Sequence, residues 1–145
     1  MRKLIATLCV AVSCATAPFA LAGDKIRIAT EGAYAPFNMV SSSGELIGFD
    51  VDIAKALCAE MKADCEIVAQ DWDGIIPALL ARKYDAIIAS MSITEDRLKV
   101  VDFSNKYYSN VLAFVGPAGK TMDTSKAGLK GLVLGAQRST IAGQT

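Results

Sequence analysis

The residue types that could do chemistry gather in one stretch, Asp85-Ala86-Ile87-Ile88-Ala89-Ser90-Met91-Ser92-Ile93-Thr94-Glu95-Asp96-Arg97. Arg97 is a planar fork of donors, suited to gripping a carboxylate with two bonds. Ser90 and Ser92 precede it as small hydroxyls. Thr94 opens a helix, and the free backbone N–H groups of a helix start favour an anion. Glu31 stands just past the end of an earlier strand and asks for a cation. Tyr34 and Trp72 are flat rings that can stack on an aliphatic stem or a guanidinium. Gln137-Arg138-Ser139-Thr140 has the look of a second strand-to-helix edge. These types together suit the capture of a small molecule bearing a carboxylate and a cation. A structural alternative stays open at each position: Thr94 as an N-cap, Ser90 and Ser92 as turn residues, Arg97 on a solvated face, Trp72 as core filler, Glu31 capping a turn.

Bond-breaking centres are harder to assemble. The chain has no histidine, which removes the commonest general base and the commonest zinc ligand. Neither a Ser-His-Asp nor a Cys-His centre can be built from it alone. Asp50 and Asp52 can be read as an acid/base pair or a metal site, but both fall where caps belong. Asp50 is the expected N-cap and Asp52 the acidic residue of the first turn. Asp71, Asp73 and Gly74 have the spacing of the start of a calcium loop. The third oxygen ligand and the later Glu are missing, so calcium is rejected. No metal or cofactor is expected.

The elements that must position these residues alternate between strand and helix. Residues 25–30 read as a first strand, and 38–40 with 45–47 as a small hairpin around Ser41-Ser42-Ser43-Gly44. Gly48-Phe49-Asp50 opens a helix with Val51, Ile53, Ala54, Leu57, Cys58 and Met61 on its apolar face. Residues 65–69 form a second strand and 70–74 a loop holding Trp72. A helix over 75–82 keeps Pro77 in its first turn, where proline is tolerated. Residues 86–89 form a third strand, buried in type, and a helix follows from Thr94. Further strands are expected at 100–103, 111–115 and 132–135, with a turn-rich linker at 116–120 and a short helix or turn at 125–130. This alternation predicts an α/β protein with a parallel sheet.

The chain has 145 residues, 15 basic and 15 acidic, with 52% hydrophobic residues. That length suits one domain, or one domain and the start of another. The balanced charge gives no basic patch for nucleic acid. Residues 1–22 read as a cleavable signal peptide. Met1-Arg2-Lys3 is followed by an apolar run, and Ala20-Leu21-Ala22 fits the small-x-small rule, so cleavage is expected after Ala22. A membrane anchor and a lipoprotein acylated at Cys14 are the competing views. The apolar run is short and broken by Ser13, Thr16 and Pro18. Export to an oxidising compartment leaves Cys58 and Cys65 as a disulfide pair, against the alternative of two reduced core thiols.

With these residues located, the chain resembles the periplasmic substrate-binding proteins of polar amino-acid ABC transporters, of the lysine/arginine/ornithine-, histidine- and opine-binding type. The motifs that carry the resemblance run from Ala29-Thr30-Glu31-Gly32-Ala33-Tyr34-Ala35-Pro36-Phe37 through Gly48-Phe49-Asp50-Val51-Asp52, Trp72-Asp73-Gly74-Ile75-Ile76-Pro77 and Tyr84-Asp85-Ala86-Ile87-Ile88 to Ser90-Met91-Ser92-Ile93-Thr94 with Arg97. The resemblance implies the type II periplasmic-binding-protein fold: two α/β lobes that close about a hinge on the ligand. Residues 23–112 would form most of lobe 1, 113–118 the crossover, and 119–145 the start of an incomplete lobe 2. Arg97 would pair with the ligand α-carboxylate, assisted by Ser92 and Ser90. Tyr34 and Trp72 would sandwich its side chain, Glu31 would face its distal cation, and Ser139 and Thr140 would close over it. Cys58 and Cys65 match a disulfide of this branch. Ala89 stands where many relatives have serine, so one hydroxyl contact is absent. The carboxylate for the α-ammonium would come from later in lobe 2. The implied protein is a monomeric binder of arginine, lysine or ornithine that delivers to an inner-membrane ABC permease. An opine or glutamine ligand, a dehydratase-like enzyme and a receptor sensor domain are the alternatives on the same fold. A fragment that does not function in isolation is a further one.

Overall fold

The computed structural model describes residues 25–144. β1 (Ile26–Thr30) is the middle strand of a three-stranded parallel sheet, between β5 (Cys65–Ala69) and β6 (Ala86–Ile87). Ile28 faces Ile67 on one neighbour and Ala86 on the other. Parallel neighbours need crossovers, and two helices supply them. α1 (Phe49–Met61) lies between β1 and β5 in the chain, and α2 (Trp72–Leu80) between β5 and β6. Three short strands, β2 (Ala33–Tyr34), β3 (Asn38–Val40) and β4 (Leu46–Ile47), form a small antiparallel sheet inserted before α1.

Successive side chains of a strand point to opposite faces, and β1 uses both. Ile28 packs on one face with Ala54 and Cys58 of α1. Its neighbour Ala29 packs on the other with Ile75 and Ala78 of α2, Tyr84 and Ala89. The sheet is therefore covered on both sides, as parallel sheets usually are. The edge is tied by Arg27 and Asp85: the Arg27 amide, Nε and Nη2 all donate to the Asp85 carboxylate, at 2.8, 3.2 and 3.0 Å. Cys58 and Cys65 form a disulfide with Cα atoms 6.2 Å apart, joining the last turns of α1 to the start of β5. The left-handed Lys62 ends the helix, and the Ala63 amide donates to the Cys58 carbonyl, so the chain reverses tightly enough to bring the two sulfurs together.

Several expectations are corrected. The N-cap of α1 is Gly48, not Asp50. The Phe49 and Asp50 amides donate to the carbonyls of Pro36 and Phe37, at 3.2 and 2.7 Å, so backbone from β2–β3 takes the donors that a side-chain cap would serve. Gly48 sits at φ 120 with its α-carbon so close that a Cβ would lie 2.5 Å from the Phe37 carbonyl oxygen, which only glycine permits. The apolar face of α1 is narrower than its pattern, because Leu57 and Met61 remain exposed. α2 begins at Trp72 rather than residue 75, so Pro77 lies inside the helix. The helix survives the lost N–H because Ile75 and Ala78 are buried against the sheet, and packing outweighs local propensity. β6 is two residues long, and the helix after Thr94 is the single turn α3 (Glu95–Leu98). The expected strands at 100–103, 111–115 and 132–135 are irregular. Val111, Val115 and Val133 are 88%, 93% and 100% exposed, and a β-prone run with no strand beside it has no ladder to join. Residues 125–130 form turns. No helix among the described residues is long and apolar enough to cross a membrane. The expected signal peptide, 1–22, lies outside the described residues.

Candidate functional site

The parallel sheet delivers its chemistry to one edge. β1 runs out at Thr30 into Glu31, β5 at Ala69 into the loop before Trp72, and β6 into Ala89 and Ser90. The pairing continues past the strands, with the Gln70 amide donating to the Thr30 carbonyl and Ile88 to Ala29, each at 2.9 Å. Carboxyl ends of neighbouring parallel strands are where open α/β sheets take ligands. A cavity of about 320 Å³ opens there. Glu31, Tyr34, Trp72, Ala89, Ser90, Ser92 and Arg97 line it, and Thr140 reaches it from the far end of the chain. Eight of the nine expected residues thus share one space, although they span more than a hundred positions of sequence.

Arg97 is fixed at three points. Thr94 Oγ1 accepts its backbone N–H at 3.2 Å, the expected N-cap of α3. Nη1 donates to the Ser92 carbonyl at 2.8 Å and Nη2 to the Ser139 carbonyl at 3.1 Å. The guanidinium carbon lies 5.3 Å from the Trp72 ring centroid, a cation–π placement. Partial burial pushes the Arg97 pKa below the usual guanidinium value, and the group stays charged at any physiological pH. Trp72 is half-buried at the first turn of α2, with Nε1 donating to the same Ser139 carbonyl at 3.0 Å. Ser139, at φ 60, is the one expected residue that does not line the cavity; it acts on the site through its backbone oxygen.

Glu31 accepts a hydrogen bond from the Gln137 side chain. Tyr34 stacks on Phe37, centroids 4.9 Å apart, and Phe37 in turn meets Phe49 and Tyr108. Tyr34, a lining residue of the cavity, is therefore braced by a cluster of rings. Thr140 donates to the Gln137 carbonyl at 2.7 Å, and Arg138 pairs with Asp73. Ser90 differs from its expectation. Its hydroxyl donates to Asp50 Oδ1 and its amide to the Tyr107 hydroxyl, both at 2.9 Å, so both of its donors are already engaged.

Sequence reasoning assigns no role in the site to Asp50, Tyr107, Asn110 or Leu112, and gives none of its own to Gln137 within the expected edge 137–140. The last four lie on irregular segments, where no periodicity marks a facing side chain. Asp50 did carry a signal: Asp50, Ala54 and Cys58 recur every four residues on one helix face, and all three are buried. A carboxylate at the head of a buried stripe belongs to the interior, not to a solvated cap. Among the described residues, no group of three or more Cys, Asp or Glu is disposed to hold a metal ion. What the cavity offers is recognition: a carboxylate, a guanidinium and aromatic walls around one space.

The pattern of the bacterial extracellular solute-binding proteins, family 3, matches residues 26–137. The chain is 46% identical over 142 residues to an L-arginine-binding protein of Pseudomonas aeruginosa, covering 98% of this chain and 55% of that one. It is 39% identical over 165 residues to an octopine-binding periplasmic protein of Rhizobium meliloti, covering 98% and 56%. The fold is also similar to the solved structure of an ancestral arginine-binding protein bound to arginine, at TM-score 0.58 and 44% identity, over 60% of this chain and 38% of that one. The chain spans about half the length of the curated relatives it matches. This is part of a type II periplasmic-binding-protein fold, and the chain belongs to the bacterial extracellular solute-binding proteins, family 3.

Proposed function

We propose that this protein is the extracytoplasmic solute-binding component of an amino-acid ABC importer, and that it captures a cationic amino acid of the arginine, lysine or ornithine type. The observation that carries the reading is that Glu31, Tyr34, Trp72, Ser92 and Arg97 line one cavity. The Arg97 guanidinium takes the α-carboxylate. Tyr34 and Trp72 flank the aliphatic stem, and Glu31 meets the distal cation. The Ser139 carbonyl that Arg97 and Trp72 now share marks where an acceptor is wanted, and a carboxylate is the stronger acceptor for a guanidinium. The names of the relatives, which bind L-arginine and octopine, support the same ligand class.

In this reading, residues 1–22 direct export to the periplasm. Residues 23–112 form most of the first lobe, 113–118 the crossover and 119–145 the start of the second lobe. The protein works as a monomer, presents its ligand to an inner-membrane permease, and carries out no reaction of its own. The test is a thermal-shift and calorimetry panel on the full-length gene product with arginine, lysine, ornithine, histidine, glutamine, glutamate and octopine. A ligand that binds only the folded state raises its stability, so the cationic members should raise the melting temperature. A rise with glutamine or glutamate alone would overturn the role of Glu31. Product formation from any candidate substrate would overturn the non-enzymatic reading.

A further inference from the structure

We propose that Asp50 is the positioning residue of this site, a single buried carboxylate that holds two left-handed turns, one beside Glu31 and one beside Ser92, that carry residues lining the site. The inference rests on the binding reading above. Asp50 is fully buried, as is Asn38. Asp50 Oδ2 accepts from Asn38 Nδ2 at 2.7 Å, and Asn38 Oδ1 accepts the Gly32 amide at 2.7 Å. Only one orientation of the Asn38 amide serves both partners. Asp50 Oδ1 accepts from the Ser90 hydroxyl and from the Tyr107 hydroxyl, each at 2.9 Å. The Tyr107 hydroxyl in turn accepts the Ser90 amide, closing a ring of three residues.

Each arm of this network ends on a left-handed backbone position. Gly32, at φ 81, directly follows Glu31; Ser90, at φ 48, stands two residues before Ser92. A non-glycine residue keeps a left-handed backbone only where its surroundings over-determine it, and at Ser90 both donors are tied to the ring. Asp50 has no structural duty to its own helix, since the first amides of α1 are already taken by Pro36 and Phe37. All three of its side-chain partners lie outside α1. A carboxylate buried among neutral donors is costly to keep, and here each bond it makes secures a segment that carries the site. Burial and the bond to Asp50 push the Tyr107 pKa up to about 12, so that hydroxyl remains a donor to Asp50.

The test uses the full-length protein with Asp50→Ala, Tyr107→Phe and the double variant Tyr107→Phe/Ser90→Gly. Alanine at position 50 removes both acceptor atoms, so both arms of the network lose their anchor, whereas an Asn amide could still donate to the two hydroxyls. In the ligand-free protein, amide hydrogen exchange should quicken at Gly32 and Ser90 in Asp50→Ala and at Ser90 in Tyr107→Phe, with Ile28 and Ala29 of β1 unchanged. Arginine affinity should fall about tenfold in Tyr107→Phe, the effect of one lost buried hydrogen bond, and further in Asp50→Ala. The double variant should recover most of the affinity lost in Tyr107→Phe, because glycine takes the left-handed turn unaided. Faster exchange throughout β1 would make Asp50 a general stability residue and overturn the proposal. Local exchange with unchanged arginine affinity would overturn it as well. Failure of the unmodified protein to bind arginine would instead remove the functional reading, and the exchange pattern would still decide whether Asp50 holds the turns.

Discussion

Arg97 and Trp72 donate to the same atom, the Ser139 carbonyl oxygen, from 3.1 and 3.0 Å, while the guanidinium lies over the indole ring. The cation and the flat wall of the site are thus oriented together before any ligand arrives. Preorganised donors lose less freedom on binding, which is where affinity is gained.

Arg97→Ala should therefore abolish useful binding of arginine. It would strand a desolvated ligand carboxylate, at a cost of roughly 2–5 kcal/mol. Arg97→Lys should fall between, since an ammonium keeps the charge but loses the fork and the flat stacking face. Calorimetry on the folded variants decides this, and micromolar binding retained in Arg97→Ala would remove Arg97 from the site.

Glu31→Gln keeps the shape of the side chain and its bond to Gln137 but removes the charge. Lysine, arginine and ornithine should lose affinity far more than glutamine does. An equal loss for charged and neutral ligands, measured by competition, would make Glu31 a structural residue.

Reducing the Cys58–Cys65 bond frees a short loop in the unfolded chain, with a sequence separation of 7. On the chain-entropy view this lowers stability by roughly 2–3 kcal/mol. The denaturant midpoint of a Cys58→Ser/Cys65→Ser variant should drop accordingly, while the ranking of ligands stays the same. An unchanged midpoint would show that the reduced chain keeps the same turn in its unfolded state.

Asp85 gives the fold an acid-sensitive edge. Hydrogen bonds from the Arg27 side chain and backbone hold its carboxyl below the usual range. A carboxyl whose folded pKa lies below its unfolded one contributes stability above the unfolded value, about 4, and loses it as pH falls through the folded value. Asp85→Asn should flatten that part of the fall in melting temperature with acid by slightly lowering the neutral plateau, and the two proteins should converge at low pH, where Asp85 is itself uncharged. Because the pair is exposed, the effect should also shrink in high salt. A fall with acid as steep as in the unmodified protein would assign the acid limb to other carboxylates.

Much of this protein is legible in the chain alone. β1, β3, α1 and β5 follow from local patterning, because apolar residues recur along each at the spacing of a strand or a helix. Arg97, Glu31, Trp72 and Tyr34 stand out as a guanidinium, a carboxylate and flat rings at or near element ends, and the resemblance of the motifs that hold them is what favours a binding role over a structural one. The tertiary structure alone decides the rest. Asp50 reads as a cap until the carbonyls of Pro36 and Phe37 are seen to take the donors it would have served. Ser90 reads as a free hydroxyl until Asp50 and Tyr107 engage it. Trp72 reads as a loop residue until the burial of Ile75 and Ala78 carries α2 back past Pro77. The apolar runs at 111–115 and 132–135 have strand composition but no strand beside them. Local pattern records which face of an element is apolar. Which partner a polar group meets, and whether a β-prone run finds a neighbour, depends on segments distant in sequence that only folding brings together.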